Sequence, residues 1–182
     1  MAHLATWRGL PVPYVNLIGV GEREADWHIR FDRNLGEIAA YRADHLDEAP
    51  DFRHQCIQRQ RECVLLGFCQ VCKRVVDWPD RQLVVSSVSV ETVEVAGRHV
   101  PVVTEPWLCP DCAEFATAVC PALIRRHVDE DLHMVPVPAP SDCQIVLSRG
   151  WIEGRYEAST RERPVAMWAK IQLLNVTVKA AR

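Results

Sequence analysis

The stretch "FCQVCKR", residues 68–74, sets two cysteines two residues apart, and "LCPDC", residues 108–112, repeats that spacing after 36 intervening residues. A C-x-x-C turn folds its backbone so that both sulfurs reach one metal ion while amide N–H groups face the thiolates. Two such turns complete the tetrahedron that a structural zinc ion takes, with sulfurs at about 2.3 Å. Cys69, Cys72, Cys109 and Cys112 are therefore the candidate metal ligands, and one structural Zn2+ is the expected cofactor. A filled four-thiolate shell has no open corner for water or substrate, so such a site orders the chain and does not catalyse. Two other readings stand beside it. A C-x-x-C pair also serves thiol redox chemistry, and "WLCPDC", with Trp107 before it and Pro110 inside, has that form. Four ordinary core cysteines are the plainest alternative, since free cysteine is among the most buried residues.

Working outward, residues 82–95, "QLVVSSVSVETVEV", and 99–104, "HVPVVT", are rich in β-branched residues and separated by "AGR". They predict an antiparallel hairpin turned at Gly97, with Ser86 and Ser87 marking a break in the first arm, and this hairpin lies between the two cysteine pairs. Upstream, "DFRHQCIQRQRECVL" contains no Gly or Pro and opens on Asp51, a good N-cap. Phe52, Cys56, Ile57, Cys63 and Val64 recur there at helical spacing and predict an amphipathic helix, with Cys56 and Cys63 on its buried side. After Cys112, "AEFATAVCPALIRR" predicts a helix perturbed at Pro121. Cys120 falls a turn or two past the second pair, where it is a candidate substitute ligand. Together with His127 or His133 it is also a candidate for a second metal.

Nearer the termini the signals are weaker. Residues 12–20 and 27–31 read as short strands, and 22–51 carries nine Asp or Glu against four Arg, with a helix expected over about 34–46. A proline-rich connector at 136–140 leads to "CQIVLSRGWIEGRYEA", two short strands around Gly150, with Cys143 heading an apolar strand. The final segment places Met167, Ile171, Leu174 and Val178 on one stripe, with Pro164 in the first turn, and predicts a C-terminal amphipathic helix. The expected fold is α+β: a zinc-ribbon-like core over residues 52–135, its hairpin between two knuckles, with flanking helices. Residues 1–51 pack on it as strands and an acidic segment, and 141–182 add a β segment and the final helix. At 182 residues, 48% of them hydrophobic, the chain suits one compact domain.

"IQRQRECVLLGFCQVC", followed by "WLCPDCAEFATAVCPALIRR", resembles a group of uncharacterised proteins of actinobacteria and their phages. These share a "QRQR" helix, a "CQVC" knuckle, a downstream C-x-x-C-A knuckle and a "CPAL" helix. The resemblance implies a zinc-ribbon-like domain liganded by Cys69, Cys72, Cys109 and Cys112, with Cys120 and Pro121 part of the pattern. Lys73 stands where such a knuckle usually carries Gly, often at positive φ.

Net charge is −3 with a pI near 6.2, so no global field draws this chain to nucleic acid or an anionic membrane. Residues 53–74 are the exception at +4. There Arg53, Arg59, Arg61, Lys73 and Arg74 are candidate contacts to nucleic acid or to a partner. No G-x-S-x-G, Walker or H-E-x-x-H motif is present, and no H-x-E accompanies the cysteines as a zinc deaminase requires, so no catalytic residue is assigned. No basic n-region with an apolar core opens the chain, and no run approaches the roughly 20 apolar residues of a membrane span. A cytoplasmic location with reduced cysteines is expected. The function expected is a non-enzymatic, zinc-stabilised protein-interaction adaptor, phage- or mobile-element-encoded, that acts on a nucleic-acid-handling protein. The alternatives are direct nucleic-acid binding and a thiol redox enzyme.

Overall fold

Residues 165–173 form an extended strand whose Ala169, Ile171 and Leu173 lie in the main core while Val165 and Met167, beyond an irregularity in its pairing, lie in a second apolar cluster, and this strand is the element on which the rest is assembled. The computed structural model describes residues 5–19, 27–45, 47–86, 91–120, 123–124, 132–150 and 164–176. In chain order its elements are β1 (Ala5–Trp7), β2 (Leu10–Val12), β3 (Asn16–Ile18), β4 (Trp27–Asp32), β5 (Glu37–Arg42) and β6 (Pro50–Gln55). Then follow α1 (Ile57–Leu66), β7 (Gln82–Ser86), β8 (Glu91–Val95), β9 (Arg98–Val103), α2 (Pro110–Val119), β10 (Leu132–Pro136), β11 (Cys143–Gly150) and β12 (Val165–Leu173). The class is α+β. Six strands form one sheet in the order β4-β5-β12-β9-β8 with β11 also on β12, and β1–β2, β3–β6 and β7–β10 form pairs. Among the described residues no helix is long and apolar enough to cross a membrane.

β11 pairs along the whole of β12, from Cys143 opposite Leu173 to Gly150 opposite Val165. The other edge of β12 is therefore shared. β5 meets it in parallel at Ala39 and Ala166, and β9 meets it antiparallel at Val103 and Ile171. Between these two contacts β12 has backbone groups with no strand opposite, and α1 supplies the partners from its side chains. Gln60 Nε2 donates to the carbonyls of Ala169 and Thr104, each at 2.6 Å, and Gln60 Oε1 accepts the Ala169 N–H at 3.0 Å. Arg61 Nη1 donates to the Met167 carbonyl at 2.8 Å. Both side chains are almost fully buried, as the cost of an unpaired backbone group in a core requires. Around this plug, Val64, Leu83, Val103, Trp107, Val135 and Ile171 belong to the main apolar core.

Four expectations are corrected by these elements. The helix expected from residue 52 begins only at Ile57, because Pro50–Gln55 is drawn into a ladder with β3, and the Cys56 N–H continues it to the Val15 carbonyl. Asp51, expected as the N-cap, is a strand residue contacting His54, and Phe52 is left exposed. The helix expected over 34–46 is the hairpin β4–β5. Its four-residue loop is set by Asp32, whose carboxylate accepts the Asn34 N–H and whose carbonyl accepts those of Leu35 and Gly36. Ala39 and Ala40 favour helix by propensity, but their small side chains are fully buried here, Ala40 in a cluster with Ile57 of α1. The C-terminal amphipathic helix is strand β12 as far as Leu173; Val178 lies outside the described residues.

The hairpin between the cysteine pairs is present as β8–β9, turned at Ala96 and Gly97, both at positive φ. Its expected first half is separate: β7 pairs antiparallel with β10, Leu83 opposite Val135. Ser87, Pro121, His127 and the second strand expected after Gly150 lie outside the described residues.

Gly67 closes α1 in the left-handed conformation, φ +72, with its N–H on the Cys63 carbonyl. A Cβ at this position would also collide with the Arg81 guanidinium. Gly67→Ala is expected to cost at least about 1–2 kcal/mol from the backbone alone. Urea unfolding of the metal-loaded protein reads this directly, and an unchanged midpoint would contradict it.

Candidate metal centre

The two cysteine pairs are carried by different local structures. The first is a turn that leaves α1 through Gly67. The Cys69 N–H bonds the Arg74 carbonyl, the Lys73 N–H returns to the Cys69 carbonyl, and Phe68 bridges Val75. Lys73 takes the left-handed conformation itself, φ +60, with its ammonium 4.4 Å from the centre of the Tyr14 ring. The favourable ammonium–ring contact offsets part of the cost that Gly would avoid. The second pair is not a β knuckle. Cys109 is the N-cap of α2, Pro110 sits in its first turn where a missing N–H costs nothing, and Cys112 follows in that turn. A helix N-terminus directs unpaired N–H groups and a positive dipole end toward a thiolate.

Gln70, inside "CQVC", joins the two. Its backbone N–H donates to the Trp107 carbonyl at 2.8 Å and its side-chain amide to the Pro106 carbonyl at 3.1 Å. Trp107 Nε1 in turn donates to the Val64 carbonyl at 3.0 Å, so the last turns of α1, the first knuckle and the approach to α2 are held together. Tyr14 and Val15 back the knuckle through N–H bonds to the Val71 and Gln70 carbonyls.

The result is one cluster. The sulfurs of Cys69, Cys72, Cys109 and Cys112 all lie within 4.8 Å of one another, a group able to hold a metal ion. Metal–sulfur bonds of about 2.3 Å in a tetrahedron space the sulfurs about 3.8 Å apart. Cys72 and Cys109 stand at 3.8 Å. Cys69, Cys109 and Cys112 are buried and Cys72 is half-buried, with Val71, Val76, Leu108 and Ala113 packed around them.

The charges fit a cation. Burial pushes the Cys69 thiol up to about 11, even though amide N–H groups of Cys72, Cys109 and Val71 favour its thiolate. Cys112 is raised by burial and by the neighbouring Cys69 sulfur. Burial also acts upward on Cys72, but hydrogen bonds from the Arg74 side chain and backbone outweigh it and hold that thiol down at about 7. Four sulfurs cannot all be ionised together without a positive centre, and a bound metal ion deprotonates its thiols outright.

Arg74 supplies the outer charge. Its Nε lies 3.4 Å from Cys72 Sγ and its Nη2 3.6 Å from Cys109 Sγ, with Asp111 holding the same guanidinium at 3.1 Å. A divalent ion in four thiolates leaves two excess negative charges, which this guanidinium partly offsets. Arg74→Ala is expected to speed metal loss to a competing chelator about tenfold, the usual scale for an outer partner of a metal ligand. A chromogenic chelator read over time measures it; an unaltered rate would contradict this role.

No family model, curated protein or solved structure matches this chain. Site residues therefore rest on geometry. Four of the five cations of the basic zone make contacts within the chain. Arg59 donates to Asp44 at 2.7 Å and to the Asn16 carbonyl at 2.6 Å. Arg61 is 1% exposed, plugging β12 and facing Asp32 at 3.5 Å. Lys73 covers Tyr14, and Arg74 covers the cluster. Arg53 lies in β6. Cys56 and Cys63 are buried in and beside α1, Cys143 is buried at the head of β11, and Cys120 ends α2 outside the cysteine cluster. The sequence reading missed Gln60 and Gln70, since nothing in their types marks a buried amide that replaces a strand. Arg74 was legible in one respect: it follows Cys72 by two residues, a position from which a side chain can fold back over a knuckle.

Proposed function

We propose that the chain is a non-enzymatic adaptor, a domain stabilised by one structural Zn2+ that presents a surface to a protein partner. The observation that carries this reading is the closed cluster. Four thiols converge, with no nitrogen or oxygen donor grouped with them among the described residues, and such a shell suits zinc and has no open position for chemistry. One knuckle and one helix N-terminus hold it, a zinc-ribbon-like arrangement in which the second knuckle is replaced by the first turn of α2. Inward engagement of Arg59 and Arg61 favours a protein partner over direct binding of nucleic acid.

A contact surface for such a partner lies away from the metal. Trp27, Trp168, Arg42, His54, Ile57 and Glu105 border a pocket of about 240 Å³, and Phe52, 49% exposed, is two residues from His54 on the same strand. Trp and Arg around a concavity are the residue types that anchor protein interfaces, and this volume suits one large side chain of a partner. The test is photo-cross-linking with a reactive phenylalanine analogue at position 52, alongside mobility shifts with DNA and RNA at low salt. The adaptor reading expects a defined protein adduct that Glu105→Lys abolishes, and no shift. A salt-sensitive nucleic-acid complex weakened by Arg74→Glu, without an adduct, would overturn it.

A further inference from the structure

We infer that Cys72 and Cys109 form an oxidation site at which a hydroperoxide joins the two halves of the metal centre by a disulfide and expels the ion. This inference rests on the zinc reading above. The tetrad is not uniformly enclosed. Cys69 is 0% exposed, Cys112 2% and Cys109 8%, while Cys72 is the half-buried member. The edge of the tetrahedron that faces solvent is therefore the one joining Cys72 and Cys109. What covers that edge is Arg74, whose guanidinium contacts both of these sulfurs and is itself 47% exposed. Access for a small polar oxidant and proximity of a second sulfur coincide at this edge.

The chemistry balances with the peroxide as the two-electron oxidant. The Cys72 sulfur attacks one peroxide oxygen, the O–O bond breaks, and hydroxide leaves with the electron pair and is protonated by solvent. Cys72 is then a sulfenic acid, a poor metal ligand. The Cys109 sulfur, 3.8 Å away, attacks Cys72, the S–S bond forms, and a second hydroxide departs. Two sulfurs are oxidised by two electrons in total and the peroxide is reduced to water. A bound ion would keep only Cys69 and Cys112 as ligands and would be lost to solvent. The Arg74 guanidinium, against both sulfurs, would offset the negative charge that each departing hydroxide gains. All four sulfurs lie within 4.8 Å of one another, so what directs the bond across the two pairs is the shared Arg74 contact and the greater exposure of Cys72 and Cys109.

The experiment uses zinc-loaded full chain treated with hydrogen peroxide, with released zinc followed by a chromogenic chelator and disulfides located by peptide mass mapping after alkylation. The expected result is one equivalent of zinc released as one disulfide forms between the peptides holding Cys72 and Cys109, reversed by dithiothreitol and added zinc. Retention of zinc in excess peroxide, or disulfides confined to Cys69–Cys72 or Cys109–Cys112, overturns the inference while leaving the structural zinc site intact. Protein that takes up no zinc before peroxide is added overturns both. Because Cys72→Ser can lose the metal on its own, the mapping is done on the unaltered chain. A Cys120→Ser variant is the control and is expected to behave identically.

Discussion

Cys112→Ser is expected to empty the metal site and to lower stability by about 5 kcal/mol or more, since the free energy of binding a structural metal is folding free energy for the region it orders. Cys112 lies in the first turn of α2, 2% exposed. Through it a bound metal would tie α2 to the knuckle that ends α1, across a core that includes Trp107. Without the ion, buried sulfurs remain: Cys69 and Cys112 are held up as neutral thiols, and Gln70 still bonds the knuckle to the approach to α2. Cys120→Ser, at the end of α2, is expected to leave metal content and stability unchanged within about 0.5 kcal/mol. Metal analysis and urea unfolding of both variants check the pair. A Cys112→Ser protein that keeps its metal and its midpoint would contradict the ligand set.

The second large effect comes from α1, the helix just upstream of the first cysteine pair. Gln60→Leu preserves approximate size and removes both functions of the amide. The Ala169 N–H and the carbonyls of Ala169 and Thr104 would then be buried with no partner. At about 1–3 kcal/mol for each orphaned group, partly relieved by relaxation, a loss of about 3 kcal/mol is expected. Zinc binding at the unaltered cysteines should persist, which separates this defect from loss of the metal. A change under about 0.5 kcal/mol in urea unfolding would mean that the shared edge of β12 needs no plug.

The candidate site was more legible than the fold, for a physical reason. Ligand spacing is a local property: a C-x-x-C turn is complete within four residues, and Cys69, Cys72, Cys109 and Cys112 do converge. The β8–β9 hairpin was equally local, marked by Gly97 and β-branched arms. Residues 165–178 show the opposite case. Met167, Ile171 and Leu174 satisfy a helical stripe, but Val165, Met167, Ala169, Ile171 and Leu173 satisfy a period of two as well. What decided between them was the presence of β11, the preceding strand, on one edge and of β5, β9 and α1, distant in sequence, on the other. The same competition explains Pro50–Gln55, where β3 claims the residues that propensity assigned to a helix. Charge pairing is long-range in the same way: Arg59 and Arg61 meet Asp44 and Asp32, 15 and 29 residues upstream. Long-range pairing overrides local preference wherever both periods fit.

The central claim is that one metal ion is held by four thiolates, two from a knuckle and two from a helix N-terminus. X-ray absorption at the metal edge of the purified protein tests it most directly. The account predicts zinc with a shell of four sulfurs at about 2.3 Å and no lighter ligand. A chain without metal, or a shell containing nitrogen or oxygen at about 2.0–2.1 Å, would contradict it.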